Sequence, residues 1–152
     1  MGLDPGFGRT GYAVLVGTKD QPIISSYGCL ETSARLPHPK RLEELSIKLQ
    51  ELLVRHKPQL VAIEKVFFAA NSKTALQVGE ARGVLLVTAS ANNIPIIEYT
   101  PPQVKLAVTG DGRADKKQIQ KMLQLVFKLI IPIKQDDAAD AAAIAFCALT
   151  HF

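Results

Sequence analysis

The chain begins with runs of β-forming residues separated by turns. Residues 1–4 predict a short first strand, and Pro5-Gly6-Phe7-Gly8 has the composition of a turn. Residues 12–16 and 23–30 predict two further strands, joined by a hairpin connection at 17–22. Because the connection is short, we expect these strands to pair in an antiparallel meander.

The next stretch changes to the spacing of an amphipathic helix. The apolar positions that carry this spacing are Leu42, Leu45, Leu49, Leu52 and Leu53. The helix should end near His56, just before Pro58. Residues 60–63 form a short, fully apolar run, which is typical of a buried parallel strand. Residues 71–92 predict a second long helix.

The remaining segments complete an alternating α/β pattern. Residues 94–99 predict a fifth strand, and a short helix opens at Pro101-Pro102. Further helices are predicted over 115–129 and, nearly all apolar, over 136–149. The short helix aside, the order is β-β-β-α-β-α-β-α-α. We therefore expect an α/β, ribonuclease H-like fold: one domain over 1–152, with a five-stranded mixed sheet whose first three strands are antiparallel, flanked by helices.

Composition adds modest constraints to this picture. The chain has 152 residues, of which 47% are hydrophobic and 21% charged, as in ordinary globular domains. Its net charge of +4 weakly favours a polyanionic partner. No signal peptide pattern and no apolar run of membrane-spanning length is present, so we expect a soluble, cytoplasmic protein with no membrane partner. Cys29 and Cys147 are expected to be reduced, buried thiols.

Four carboxylates stand where hydrophobic elements end. Asp4 follows the first strand and Glu64 follows the buried strand at 60–63. Asp137 and Asp140 are three residues apart on the last helix, which places both on one face. We expect all four to point into one cleft at an edge of the sheet.

These carboxylates favour a divalent metal ion. Two aspartates on an internal helix need a partner, and the neighbouring sequence offers only Lys134 as a base. Mg²⁺ prefers hard oxygen ligands, and two such ions about 4 Å apart can activate a water and stabilise a leaving 3′-oxygen. The alternative is that Asp136 or Asp137 simply caps the helix.

The glycine-rich turn admits two other interpretations. Residues 6–11 match G-x-G-x-x-G, but a dinucleotide site needs a helix to follow, and a strand is predicted here. The same hairpin resembles the phosphate loop of actin-like kinases. A small phosphotransferase therefore remains the weakest alternative.

Basic and aromatic residues suggest a nucleic acid partner. Between residues 105 and 134, seven basic residues stand against two acidic ones; the basic ones are Lys105, Arg113, Lys116, Lys117, Lys121, Lys128 and Lys134. Such a stretch can contact phosphates, although it can also be an ordinary solvated face. Phe67-Phe68 follows the Glu64 strand, and one of the pair could stack on an unpaired base. Composition does not decide which.

Taken together, the chain resembles the RuvC family, the bacterial Holliday junction resolvases. The matching stretches, in the family's order, are GLDPGFGRTGYAV (2–14), AIEKVFFAANSKTALQVGEARGVLL (62–86), QVKLAVTGDGRADKKQIQKML (103–123) and DDAADAAAIAFCA (136–148). The resemblance implies a ribonuclease H-like fold, a two-fold symmetric homodimer, Mg²⁺ or Mn²⁺ ions, and paired cuts at a four-way DNA junction. It also implies the branch-migration proteins RuvA and RuvB as partners.

The resemblance assigns roles residue by residue. The family's metal-binding acids fall on Asp4, Glu64, Asp137 and Asp140. Its base-stacking phenylalanine falls on Phe67, and its DNA-contacting lysines fall on Lys105 and Lys116; Arg113 and Lys117 lie in the same basic stretch. The helix with Gly79 and Gly83, whose small-residue ridge suits either an intrachain or a dimer contact, matches the family's dimer interface.

The sequence departs from the family pattern at two places near the acids. Only three residues precede Asp4, where relatives usually have a few more, and Lys65 follows Glu64 where relatives often carry glutamine. Two alternatives stay open beside junction cleavage. One is another ribonuclease H-like nuclease acting on branched DNA or RNA, and the other is a non-catalytic junction-binding protein.

Overall fold

The computed structural model describes residues 1–65 and 72–150, and for residues 72–74 it describes only the backbone. The elements in chain order are β1 (Gly2–Asp4), β2 (Arg9–Thr18), β3 (Gln21–Glu31), α1 (His38–His56), β4 (Val61–Glu64), α2 (Ser72–Ala91), β5 (Ile96–Tyr99), α3 (Pro101–Thr109), α4 (Lys116–Val126) and α5 (Asp136–Thr150). Every predicted element is present. The short helix α3 also forms, so three helices follow β5.

The five strands form one mixed sheet in the order β3-β2-β1-β4-β5. β1 pairs antiparallel with β2, which pairs antiparallel with β3, whereas β1–β4 and β4–β5 are parallel. The predicted five-stranded mixed sheet, antiparallel over its first three strands, is confirmed. Leu3 lies opposite Ile63, so the next residues, Asp4 and Glu64, leave the sheet side by side at its carboxyl edge.

Helices cover the two faces of the sheet. On one face α1 and α2 pack through apolar side chains such as Leu49 and Leu85. On the other face α3, α4 and α5 form the larger cluster, with α5 buried along nearly its whole length. This agrees with the prediction that the last helix is internal, and it places the first turn of α5 beside the carboxyl edge of β1.

Close backbone packing fixes α5 against the sheet. A Cβ atom added to Gly2 would overlap the carbonyl oxygen of Ala141, and one added to Gly11 would overlap that of Asp137. Glycine at these two positions therefore allows the helix backbone to lie directly on β1 and β2. The small alanine side chains of α5 permit the same close approach between the helix and the sheet.

Local signals set the ends of α3 and α4. Thr100 caps α3 with Gln103 in a reciprocal capping box, and Asp115 caps α4 with Gln118 in the same way. Lys116 is thereby fixed as the first residue of α4. The predicted helix over 115–129 was too long at its carboxyl end, because the chain turns at Lys128, which has a positive φ of 52°.

Two smaller expectations have different outcomes. Cys147 is buried and forms no disulfide, as predicted, but Cys29 is only half-buried because β3 is an edge strand. The glycine-rich turn leads into strand β2 rather than a helix, which agrees with the argument against a dinucleotide site. Among the helices in the described ranges, none has the length and apolar character needed to cross a membrane.

Candidate active site

Four carboxylates are brought together at the carboxyl edge of the central strands. Asp4 ends β1, Glu64 ends β4, and Asp137 and Asp140 lie in the first two turns of α5. Burial, followed by the charges of Asp140, Glu64 and Asp137, raises the pKa of Asp4 to about 8. The structure therefore places all four predicted acids within electrostatic reach of one another.

The other acids share this environment. Burial raises the pKa of Glu64, the charge of Asp140 adds to the rise, and Lys105 opposes it. Burial likewise raises the pKa of Asp140, where Lys116 opposes the shift and Asp136 and Asp137 add to it. The cleft thus holds more negative charge than its basic neighbours neutralise.

An arginine that sequence analysis missed contacts Asp137. Arg9, at the start of β2, forms an ion pair through its Nε with Oδ2 of Asp137. This oxygen is buried, and the guanidinium of Arg9 lies directly against it, so the pKa of Arg9 is raised by the charge of Asp137. Arg9 lies two residues before Gly11, which pairs with Asp4, and this register brings it to the site.

A lysine from α4 contacts the same helix. Lys116 Nζ lies 3.1 Å from Oδ2 of Asp136 and 3.8 Å from Oδ2 of Asp140. The expectation that Lys134 is the only base near the aspartates of α5 was wrong. The bases come instead from β2 and α4, which are distant in sequence and are brought close by the fold.

The capping alternative for the aspartates is also wrong. α5 begins at Asp136, and both Asp136 and Asp137 lie inside its first turn rather than at the residue before it. An N-cap residue has a non-helical backbone and precedes the first turn. The carboxylates of α5 therefore need another explanation, which the convergence with Asp4 and Glu64 provides.

The donor set fits a divalent cation. Within residues 1–65 and 72–150, no three His, Cys, Asp or Glu side chains lie close enough together to hold one metal ion. In this arrangement Asp137 pairs with Arg9, and Asp140 faces Lys116. The chemistry nevertheless suits Mg²⁺ or Mn²⁺: the donors are hard oxygens, and a cation would relieve the repulsion on Asp4.

The glycine-rich turn after Asp4 is held by side chains of α1. The Phe7 ring contacts Arg41, whose guanidinium carbon is 3.9 Å from the ring centroid, and His38, whose ring centroid is 4.7 Å away. His38 in turn pairs with Glu80 of α2 at 2.7 Å. These contacts hold the turn that follows Asp4 against α1 and α2.

The predicted DNA-contacting residues are distributed around this edge. Lys105 on α3 is half-buried and acts on Glu64, while Lys116 contacts α5. Arg113 is exposed in the turn between α3 and α4, and Lys117 is exposed at the start of α4. Phe67 and Phe68 lie outside the described residues.

A second arginine missed by sequence analysis contacts Glu64 from the opposite face. Arg82 of α2 donates from Nε to the backbone carbonyl of Glu64 at 3.1 Å, and its guanidinium pairs with Glu98 of β5. No local pattern marks this residue, because the contact depends on where α2 crosses the end of β4.

The sheet order and the acids at the ends of β1 and β4 define a ribonuclease H-like fold. A family model described as "Crossover junction endodeoxyribonuclease RuvC" matches residues 1–150. Among curated proteins, the chain is 50% identical to the RuvC of Petrotoga mobilis, over 97% of this chain and 90% of that protein. It is 46% identical to the RuvC of Syntrophomonas wolfei, over 100% of this chain and 88% of that one.

Solved structures agree with the sequence comparisons. The RuvC of T. thermophilus in complex with a Holliday junction substrate superposes with a TM-score of 0.92 at 31% identity, covering 99% of this chain and 92% of that one. The yeast mitochondrial Holliday junction resolvase has a TM-score of 0.68 at 18% identity, covering 99% and 80% of the two chains, and shows the same fold. The chain belongs to the RuvC family of crossover junction endodeoxyribonucleases.

Proposed function

We propose that this protein is a structure-selective endonuclease that resolves Holliday junctions by paired, metal-dependent hydrolysis of phosphodiesters in DNA recombination and repair. The observation that carries the proposal is the convergence of carboxylates from β1, β4 and α5 on one edge of the sheet. Family membership supplies the reaction class, and a relative bound to a Holliday junction supplies the substrate.

In this proposal Asp4, Glu64, Asp137 and Asp140 hold two Mg²⁺ ions, which Mn²⁺ can replace. Ions bound there would supply an activated water and would stabilise the departing 3′-oxygen. Because burial and like charges raise the pKa of Asp4 to about 8, a bound cation would favour the ionised form of Asp4 near neutral pH.

Basic residues complete the site on the DNA side. Lys105 and Lys116 already act on Glu64 and Asp140, so a phosphate entering the cleft meets two positive charges beside the acids. Arg113 and Lys117 are exposed and can bind phosphates further along the strand. In this assignment Phe67 stacks on a base opened at the crossover.

The outer face of α2 supports a homodimer. Leu76 and Val87 on this face have 63% and 69% of their surface exposed. Gly79 and Gly83 lie between them, and a Cβ atom at either position would meet nothing within 4 Å among the residues that the structure describes. A two-fold axis along this face would present two active sites to the two strands that must be cut. We call these four residues the α2 face.

The wider setting follows the same proposal. The chain acts as one nuclease domain over 1–152 in the cytoplasm, on junctions delivered by RuvA and RuvB.

A synthetic four-way junction and a linear duplex of the same sequence, each incubated with and without Mg²⁺, test the substrate. We expect paired nicks in the junction with Mg²⁺ only. Junction binding without cleavage at any metal concentration would identify a non-catalytic binding protein instead.

A further inference from the structure

The backbone carbonyl of Glu64 is bound by a side chain rather than by a neighbouring strand. Its carbonyl oxygen accepts a hydrogen bond from Nε of Arg82 at 3.1 Å, and Arg82 comes from a helix rather than a neighbouring strand. The same guanidinium forms an ion pair with Glu98 on β5. Arg82 is mostly buried, with 20% of its side chain exposed. One planar group thus connects α2, the end of β4 and β5.

The parallel register explains why this carbonyl needs a side-chain donor. In a parallel pair, a residue's carbonyl accepts from the backbone N–H one position beyond its partner. Gly2 lies opposite Ala62 and Leu3 opposite Ile63, so continuing the register places Asp4 opposite Glu64. The donor would then be the nitrogen of Pro5, which carries no hydrogen. β1 therefore cannot complete the ladder at Glu64.

We propose that Arg82 is a positioning residue that replaces the missing strand donor and fixes the end of β4, so that the Glu64 carboxylate points toward Asp4 and Asp140. The proposal rests on the proposed metal-dependent nuclease function. Because the Glu64 side chain leaves the last residue of the strand, a rotation of this peptide would swing its carboxylate out of the cleft. On the β5 side, Lys65 N–H donates to the Tyr99 carbonyl at 2.8 Å, so only the β1 side depends on Arg82.

The ion pair with Glu98 orients the guanidinium for this task. Glu98 lies opposite Ile63 on β5, one position before the level of Glu64. A planar fork can bind a carboxylate and a carbonyl at the same time with fixed geometry, whereas a lysine ammonium cannot reproduce that arrangement. The neighbouring residues Ala81 and Leu85 are completely buried, so packing fixes the position of α2 and of Arg82 on it.

The test compares Arg82→Met, Arg82→Lys and Glu98→Gln with Arg55→Met, a matched change at an exposed arginine in the last turn of α1. Mn²⁺ affinity is measured by electron paramagnetic resonance, and junction cleavage is measured under single-turnover conditions across a Mn²⁺ titration. Junction binding in EDTA and thermal unfolding are recorded for every variant.

We expect Arg82→Met to lower Mn²⁺ affinity and cleavage by about 10–100-fold, as is usual for residues that orient metal ligands. Raised Mn²⁺ should restore part of the cleavage, while junction binding in EDTA stays unchanged. Glu98→Gln should give a smaller loss in the same direction, Arg82→Lys only partial rescue, and Arg55→Met no loss.

Two results would overturn the role of Arg82. One is wild-type Mn²⁺ affinity and cleavage in Arg82→Met. The other is a loss of cleavage that follows a loss of folding and junction binding in parallel, which is a merely structural effect. Failure of the proposed function looks different. In that case the unmodified protein binds Mn²⁺ but cuts no junction, and Mn²⁺ affinity of the variants still decides the role of Arg82.

Discussion

Asp4 has the most strongly perturbed ionisation that the structure gives for a carboxylate. Its pKa is raised from 3.8 to about 8 by burial and by the charges of Asp140, Glu64 and Asp137. Between these two values the folded state keeps a proton that the unfolded state has released. Stability therefore falls as pH rises from about 4 to about 8 in the absence of metal, by several kcal/mol at most, since one pKa unit corresponds to about 1.4 kcal/mol.

Asp4→Asn should remove this dependence, because the amide keeps the shape of the protonated acid and carries no charge. In EDTA at pH 8, we expect the variant to melt at a higher temperature than the unmodified protein, and the difference to shrink toward pH 5. The measurement is thermal unfolding across this pH range. A difference in melting temperature that is independent of pH would contradict the raised pKa of Asp4.

Individual residues also show where sequence reasoning is strong. Asp4, Glu64 and the D-x-x-D pair could be chosen from the sequence because each stands at the end of an apolar element. Arg9 and Arg82 could not be chosen, because nothing local distinguishes them from surface bases. Their contacts with Asp137 and Glu64 arise from the register of β2 and the path of α2.

At the level of elements, the position of α5 on the sheet determines the geometry of the site. Gly11 of β2 lies against the backbone of Asp137, so α5 is already as close to the sheet as the two backbones allow. The distance between the strand acids and the helix acids depends on this contact. A side chain at Gly11 would therefore separate Asp137 and Asp140 from Asp4.

Gly11→Ala should destabilise the protein by at least about 1–3 kcal/mol, the usual cost of overpacking, because the added atom meets backbone that cannot rotate away. Gly112→Ala is the control, since its nearest neighbour would be an ordinary contact 3.4 Å away. Chemical denaturation measures both. Equal stability of Gly11→Ala and the unmodified protein would contradict the close packing of α5 on β2.

The elements themselves were predictable because each has a clear pattern. Alternating and fully apolar runs predicted the strands, and the spacing of Leu45, Leu49 and Leu52 predicted α1. The positions at which the elements end were predicted less accurately. α4 stops at Val126 because Lys128 adopts a positive φ, and lysine gives no sign of that conformation in the sequence.

On the scale of the whole molecule, the α2 face is a long apolar surface on the side opposite the buried Ala81 and Leu85. Surfaces of this kind commonly serve as interfaces. The sequence showed the small residues but left open whether they contact the same chain. No described part of the chain lies within 4 Å of a Cβ atom added at Gly79 or Gly83, and this space is the basis for proposing a second copy as the contact.

Leu76→Glu should convert the proposed dimer to a monomer, because a charge buried within an apolar interface loses its hydration without a partner. Val54→Glu is the control, because Val54 is similarly exposed at 60% but lies on α1. Light scattering gives the mass of each variant. A Leu76→Glu protein with the same mass as the unmodified protein would exclude the α2 face as the interface.

The central claim is that the carboxylates of β1, β4 and α5 act together to cut a junction. Single-turnover cleavage of a synthetic four-way junction at saturating Mg²⁺ tests it most directly, with Asp140→Asn compared to Asp136→Asn. Both residues contact Lys116, but only Asp140 belongs to the proposed quartet. The account predicts that Asp140→Asn abolishes cleavage while still binding the junction, and that Asp136→Asn cuts at nearly the unmodified rate. Full cleavage by Asp140→Asn would contradict it.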